Sequence, residues 1–171
     1  MEVLIMKARK KDSEAFIQLM DLNTQYMYKI AKSYLKVEED VADVLQDTIL
    51  TCYEKIGTLK QNKYFKTWLT RILINKCKDI LGRNKDMYIR EEIPEIPVND
   101  FHYDNLEWSQ VLQSLDEKYR TILLLYYLED FNTREIAEML DMNEKTVQTR
   151  LARGRGKISE LYQMEERRSS I

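Results

Sequence analysis

The chain has 171 residues, 44% of them hydrophobic and 33% charged, with 27 Lys and Arg against 29 Asp and Glu for a net charge of minus two. That apolar content suffices for one core of ordinary size or two small ones, and with only two prolines and four glycines the chain offers long stretches free of helix breakers, so an all-α protein is expected. Cys52, Cys77 and a single histidine, His102, are too few and too isolated for a disulfide framework or a metal centre, so no metal and no cofactor are expected.

The opening MEVLIMKARKKDSE places its apolar residues before its charges, the reverse of a secretory leader, and no apolar run approaches the roughly 20 residues of a membrane helix. The expected location is the cytoplasm. From Ser13 to Lys36, apolar residues recur at three and four spacing, which predicts one long helix or two, without a capping box at Ser13. A second helix is expected from Glu38 to Ile56, with Val41, Val44, Leu45, Thr48, Ile49, Cys52, Tyr53 and Ile56 inward and Gly57 as its stop. Its other face begins with Glu38, Glu39, Asp40, Asp43 and Asp47.

After a basic loop from Thr58 to Tyr64, FKTWLTRILINKCKDIL predicts a third helix with Phe65, Leu69, Ile72, Leu73 and Ile80 buried. At about 100° per residue, Arg71, Asn75, Lys78 and Asp79 gather on another side with Trp68 at its edge, where Trp68 suits either the core or a binding face. The basic residues from Lys60 to Arg90 number nine against Asp79 and Asp86, a net of plus seven, whereas every charge from Glu91 to Glu107 is negative. This acidic stretch contains Pro94 and Pro97 and has no helical period, so residues 87–105 are expected to be an extended linker between domains at 1–86 and 106–171.

The second domain is expected to open with a helix near Leu106 to Leu115, continue with EKYRTILLLYYLED, and end in TREIAEMLDMNEKTVQTRLARGRGK. There Asn132 and Glu135 fit a capping box, Ile136, Ala137 and Leu140 form an apolar edge, and Asp141 stands where the turn favours positive φ. Asn143 can cap a further helix with Val147, Leu151 and Ile158 inward and Lys145, Gln148, Thr149 and Arg153 outward. The pattern is that of a helix-turn-helix whose second helix seats in a major groove. Gly154 and Gly156 would weaken that helix by about 1 kcal/mol each relative to Ala.

The quoted C-terminal stretch, with SLDEKYRTILLLYYLEDFN before it, resembles the promoter-binding domain of the extracytoplasmic-function sigma factors of bacterial RNA polymerase. DVADVLQDTIL and FKTWLTRILINKCKDIL resemble their N-terminal domain. The resemblance implies two small helical domains, regions 2 and 4, and a function as a sigma factor that binds core RNA polymerase and directs promoter-specific initiation. It implies that Asp43, Gln46 and Asp47 bind the core polymerase. Trp68, Arg71, Asn75, Lys78, Asp79 and Arg83, with Lys60, Lys63 and Tyr64 in the loop, would engage the minus-ten element, the loop capturing a flipped base. Thr133, Lys145, Thr146, Gln148, Thr149, Arg150 and Arg153 would contact the minus-thirty-five element. The linker would run where RNA later exits, its charge imitating nucleic acid. An anti-sigma factor, often membrane-bound, would be the regulating partner and could hold the chain at the membrane.

Family departures are Gly82 in place of a basic residue, Asp116 in place of Pro as a helix cap, Asp141 in place of the turn glycine, and Gly154 and Gly156 where larger residues are common. Without the resemblance, Asp43 and its neighbours also fit a solvated acidic face, and the whole also fits a stand-alone helix-turn-helix regulator or a helical adaptor. An enzyme is not expected: no nucleophile sits with a base, no glycine loop could cradle a phosphate, and no small-molecule substrate is implied.

Overall fold

A computed structural model describes residues 1–88 and 111–169, with side chains for 1–82, 111–161 and Gln163. Most of the acidic linker, the helix start near Leu106, His102 and the side chain of Arg83 lie outside the described residues. Contacts divide the chain into two compact units, Met1–Glu92 and Ile93–Ile171, and every described regular element is helical.

The first unit holds α1 (Glu2–Arg9), α2 (Ser13–Tyr34), α3 (Glu38–Lys55) and α4 (Phe65–Tyr88), with single 3-10 turns at Ile56–Thr58 and Asn62–Tyr64. Helix α1 has no counterpart among the sequence expectations, being too short to show a period. The first apolar block is one helix, and its cap is Asp12 rather than Ser13: the Asp12 carboxylate accepts from the Ala15 backbone N–H at 3.0 Å. Lys11 makes the turn between α1 and α2 at φ 68°. Between α2 and α3, the buried Lys32 ammonium lies 2.5 Å from Glu38 Oε1, as a charge withdrawn from water requires.

Helix α3 does not end on a left-handed glycine. It tightens into the turn containing Gly57, and Lys11 Nζ donates to the carbonyls of Tyr53 (3.0 Å) and Glu54 (3.5 Å), satisfying groups a glycine cap would otherwise serve. Tyr53, expected inward, is 41% exposed and lies edge-on to Phe16 at 5.1 Å. Helix α4 buries Phe65, Leu69, Thr70, Leu73, Ile74 and Cys77, while Ile72 and Ile80 are only half-buried. The buried arc is wider than expected and turned toward Ile74 because α4 packs against both α2 and α3. The hydroxyls of Tyr26 and Thr70 pair across the α2 and α4 contact. Helix α4 also runs on to Tyr88, into the first residues of the expected linker.

The second unit contains α5 (Glu117–Leu123), continued by a π-helical turn over Leu124–Leu128, then α6 (Thr133–Leu140) and α7 (Glu144–Ser169). Asp116 does not cap α5 with its side chain, and Arg120 Nη2 donates to the Leu115 carbonyl at 3.0 Å. The capping box at Asn132 and Glu135 is complete, with Asn132 Oδ1 accepting from Glu135 N at 3.0 Å and Glu135 Oε2 accepting from Asn132 N at 3.0 Å. Ile136, Ala137 and Leu140 of α6 are buried, as are Val147, Leu151 and Ile158 of α7.

Asp141 has φ 54° and ψ 52°, the left-handed turn expected of it. A side chain there costs more than hydrogen does, so Asp141→Gly should raise stability by about 1 kcal/mol. Thermal unfolding of the two proteins checks this; a lower midpoint for the glycine variant would show that the Asp side chain supplies a compensating contact.

Candidate nucleic-acid interface

In the first unit the exposed sides of α3 and α4 differ in chemistry. On α3, Asp43, Gln46 and Asp47 are all exposed on successive turns, and Leu50, 63% exposed, extends their stripe at the i+3 position from Asp47. Leu50 carries a signal that periodicity could have caught: it is apolar but out of phase with Val44, Thr48 and Cys52. Asp47 is partly engaged, its Oδ2 lying 3.6 Å from Lys76 Nζ on α4. Both side chains are solvent-accessible, so this pair contributes little, on the order of 0–1 kcal/mol.

On α4, Arg71, Asn75, Lys78 and Asp79 are exposed, opposite the arc that packs on α2 and α3. Trp68 is half-buried on the same outward side, its ring 6.1 Å from that of Phe65. Its indole is therefore a shoulder of the exposed arc and not a core side chain. In the preceding loop, Leu59 is buried while Lys60, Lys63 and Tyr64 are exposed; Lys63 Nζ lies 4.9 Å from the centre of the Tyr64 ring. An exposed aromatic ring with ammonium groups beside it can stack on an unpaired base and hold its phosphates.

The loop is tied to α1 by a residue that sequence reading passed over. Arg9 Nη1 donates to Asn62 Oδ1 at 2.8 Å across 53 residues, a separation at which no local pattern reports a contact.

In the second unit, Lys145, Gln148, Thr149 and Arg153 all lie on the exposed side of α7, with Thr133, Thr146 and Arg150 half-buried at its margins. Asn143 Oδ1 accepts from Lys145 N at 2.8 Å, which caps the start of α7. Glu144, also unremarked in the sequence, accepts from Thr133 Oγ1 at 2.7 Å and Gln148 Nε2 at 3.4 Å, joining α6 to the outward face of α7. Arg155 and Lys157 are directed elsewhere: Arg155 lies over the rings of Tyr126 (5.6 Å) and Tyr127 (5.4 Å), and Lys157 over Tyr119 (5.7 Å). The positive charge of this helix is thus divided between a free face and aromatic contacts within the unit.

Both cysteines are buried and neither is in a disulfide, and burial pushes the Cys52 thiol up to about 12, so it stays protonated at neutral pH. Among the described residues no cluster of His, Cys, Asp and Glu could hold a metal ion, and no helix is long and apolar enough to cross a membrane.

Two family models match, Sigma-70 region 2 over residues 19–86 and Sigma-70, region 4 over residues 105–158. The chain is 30% identical over 175 residues to the RNA polymerase sigma factor NccH of Alcaligenes xylosoxydans xylosoxydans, covering 95% of this chain and 94% of that one. It is 29% identical over 178 residues to the ECF RNA polymerase sigma factor SigW of Bacillus subtilis, covering 91% and 95%. Among solved structures, CnrH in complex with the cytosolic domain of CnrY superposes with a TM-score of 0.67 at 24% identity, covering 95% of this chain and 97% of that one. RpoE in complex with the anti-sigma factor NepR from Bartonella quintana gives 0.68 at 21%, covering 86% and 96%.

Proposed function

The chain belongs to the extracytoplasmic-function sigma factors of bacterial RNA polymerase, and from that premise we propose how its surfaces divide the work of promoter-specific initiation. Residues 1–86 act as region 2, 87–105 as the acidic linker and 106–171 as region 4. The core polymerase is held by Asp43, Gln46 and Asp47 of α3, since adjacent carboxylates and an amide suit an Arg-rich partner through charge-assisted hydrogen bonds. Leu50 adds apolar contact to the same stripe. The minus-ten element is engaged by Trp68, Arg71, Asn75, Lys78, Asp79 and Arg83 of α4, with a flipped base received at Lys60, Lys63 and Tyr64. The outward side of α7 enters the major groove of the minus-thirty-five element, where Gln148 and Thr149 reach base edges and Lys145 and Arg153 fix register on phosphates.

One observation carries this reading: adjacent helices of a single small unit expose opposite chemistries, acidic on α3 and largely basic on α4. A stand-alone regulator has no need of such a pair, whereas a subunit that must grip an enzyme and DNA together does. The factor has no catalysis of its own and works in the cytoplasm. An anti-sigma factor covers the acidic stripe and the outward side of α7 until a signal releases it, and a membrane-bound inhibitor would hold the complex at the membrane. Support for that regulation comes from the family and from the similar fold of RpoE, solved with such a partner.

Run-off transcription with purified core polymerase on a panel of promoters tests the whole reading. Promoter-specific initiation should appear only when the protein is added. Tight binding to a palindromic duplex without any initiation would instead favour the stand-alone regulator. For the C-terminal contact, Arg153→Ala should reduce the slope of log affinity against log salt by about one unit. An unchanged slope would remove Arg153 from the phosphate contacts.

A further inference from the structure

The base-capture loop is short and carries one 3-10 turn, Asn62–Tyr64, which by itself has little to hold a single conformation. Yet three features converge on its two ends. Arg9 Nη1 donates to Asn62 Oδ1, the first residue of that turn, at 2.8 Å. Lys11, in its left-handed turn, caps the last carbonyls of α3 just before the loop begins and lies 5.2 Å from the centre of the Tyr53 ring. Ser13 Oγ stands 3.5 Å from Tyr53 Oη. From these contacts we infer that α1 and its turn into α2 are a positioning element for the minus-ten loop, with Arg9 and Asn62 as the bond that sets how Lys63 and Tyr64 are presented.

The inference rests on the reading of that loop as a DNA contact. Its physical basis is preorganisation. A loop that occupies its binding conformation only part of the time binds more weakly by that fraction, and a bond holding it there removes the loss without touching DNA. The bond to Asn62 also engages a guanidinium whose Nε is buried without a partner, so the Arg9 side chain has few alternatives once Asn62 is gone. Positioning is thus stored in a helix that neither base nor polymerase contacts in the reading above.

The test uses the full chain assembled with core polymerase and, as probe, a labelled single-stranded DNA recovered from a random pool by the wild-type holoenzyme. Asn62→Ala should weaken probe binding by about threefold to tenfold, the worth of one ordinary hydrogen bond, with affinity for core polymerase unchanged at a temperature where both proteins are fully folded. Adding Arg9→Ala to Asn62→Ala should cost little more, because the two share one bond. Asn62→Ala keeps the question answerable if Arg9→Ala alone unfolds the unit. Tyr64→Ala serves as reference and should weaken the probe by itself.

If Tyr64→Ala weakens binding while Asn62→Ala does not, or if the losses from Arg9→Ala and Asn62→Ala simply add, the positioning role is overturned and the loop reading survives. A parallel fall in core affinity makes the bond merely structural and also overturns it. If Tyr64→Ala has no effect, the loop is not a DNA contact and both ideas fall together.

Discussion

The double substitution Asp43→Ala and Gln46→Ala should weaken binding to core polymerase by about 10- to 100-fold, or about 1.4–2.8 kcal/mol. Both side chains are exposed on α3, so removing them deletes nothing from the core, and the unfolding free energy should stay within about 0.5 kcal/mol of wild type. Asp47 is left out of the pair because its carboxylate already faces Lys76 at 3.6 Å; its loss would free a cation on α4 and confuse a polymerase effect with a DNA effect. Titration of fluorescently labelled protein with core enzyme measures the affinity, and unfolding curves run alongside. Equal affinity for both proteins would mean the acidic stripe is only a solvated face. Leu50→Ala should add to the loss if the stripe is one continuous contact.

Gly154→Val should destabilise the C-terminal unit by about 1–3 kcal/mol, whereas Gly156→Ala should stabilise it by up to about 1 kcal/mol. The two glycines look alike in the sequence, a single residue apart in one helix. In the structure Gly154 continues the buried stripe of Val147, Leu151 and Ile158, and a Cβ built on it would come within 2.9 Å of Leu123 Cδ1 and 3.3 Å of Leu123 Cγ. Leu123 is itself fully buried in α5, so it has little room to withdraw. Gly156 faces open space, where a methyl group meets nothing and only the helical propensity changes. Thermal unfolding of both variants separates the cases; a stable Gly154→Val protein would show that α5 can move away from α7.

That contrast also shows where sequence reasoning stops. Gly154 reads as a defect in a helix, at odds with larger residues in related proteins, until the crossing with α5 gives it a steric purpose. The same limit applies to α4. Spacing placed Arg71, Asn75, Lys78 and Asp79 on one outward side, and all four are exposed, but it put Ile72 and Ile80 in the core in place of Ile74 and Cys77. A periodicity finds the direction of burial for a helix with one neighbour; α4 has two. Trp68 illustrates the boundary, fitting core or surface by spacing and ending as a half-buried shoulder beside Phe65.

Local signals were legible where the chemistry was local. The capping box at Asn132 and Glu135, the left-handed turn at Asp141 and the cap at Asn143 each involve residues within a few positions of one another, so side-chain type alone selects them. A cap that depends on a distant group was not legible: Lys11 closes α3 in place of Gly57.

The amino-acid sequence by itself determined the helical class, the segregation of charge, the outward faces of α4 and α7 and the family, because composition, period and ordered motifs are properties of the chain read along its length. Tertiary structure alone decided that Gly154 is a packing residue and that Arg9 ties down a loop 53 residues away. Those outcomes depend on which helices meet and how closely, and the free energy of such contacts is set by atoms that only folding brings together.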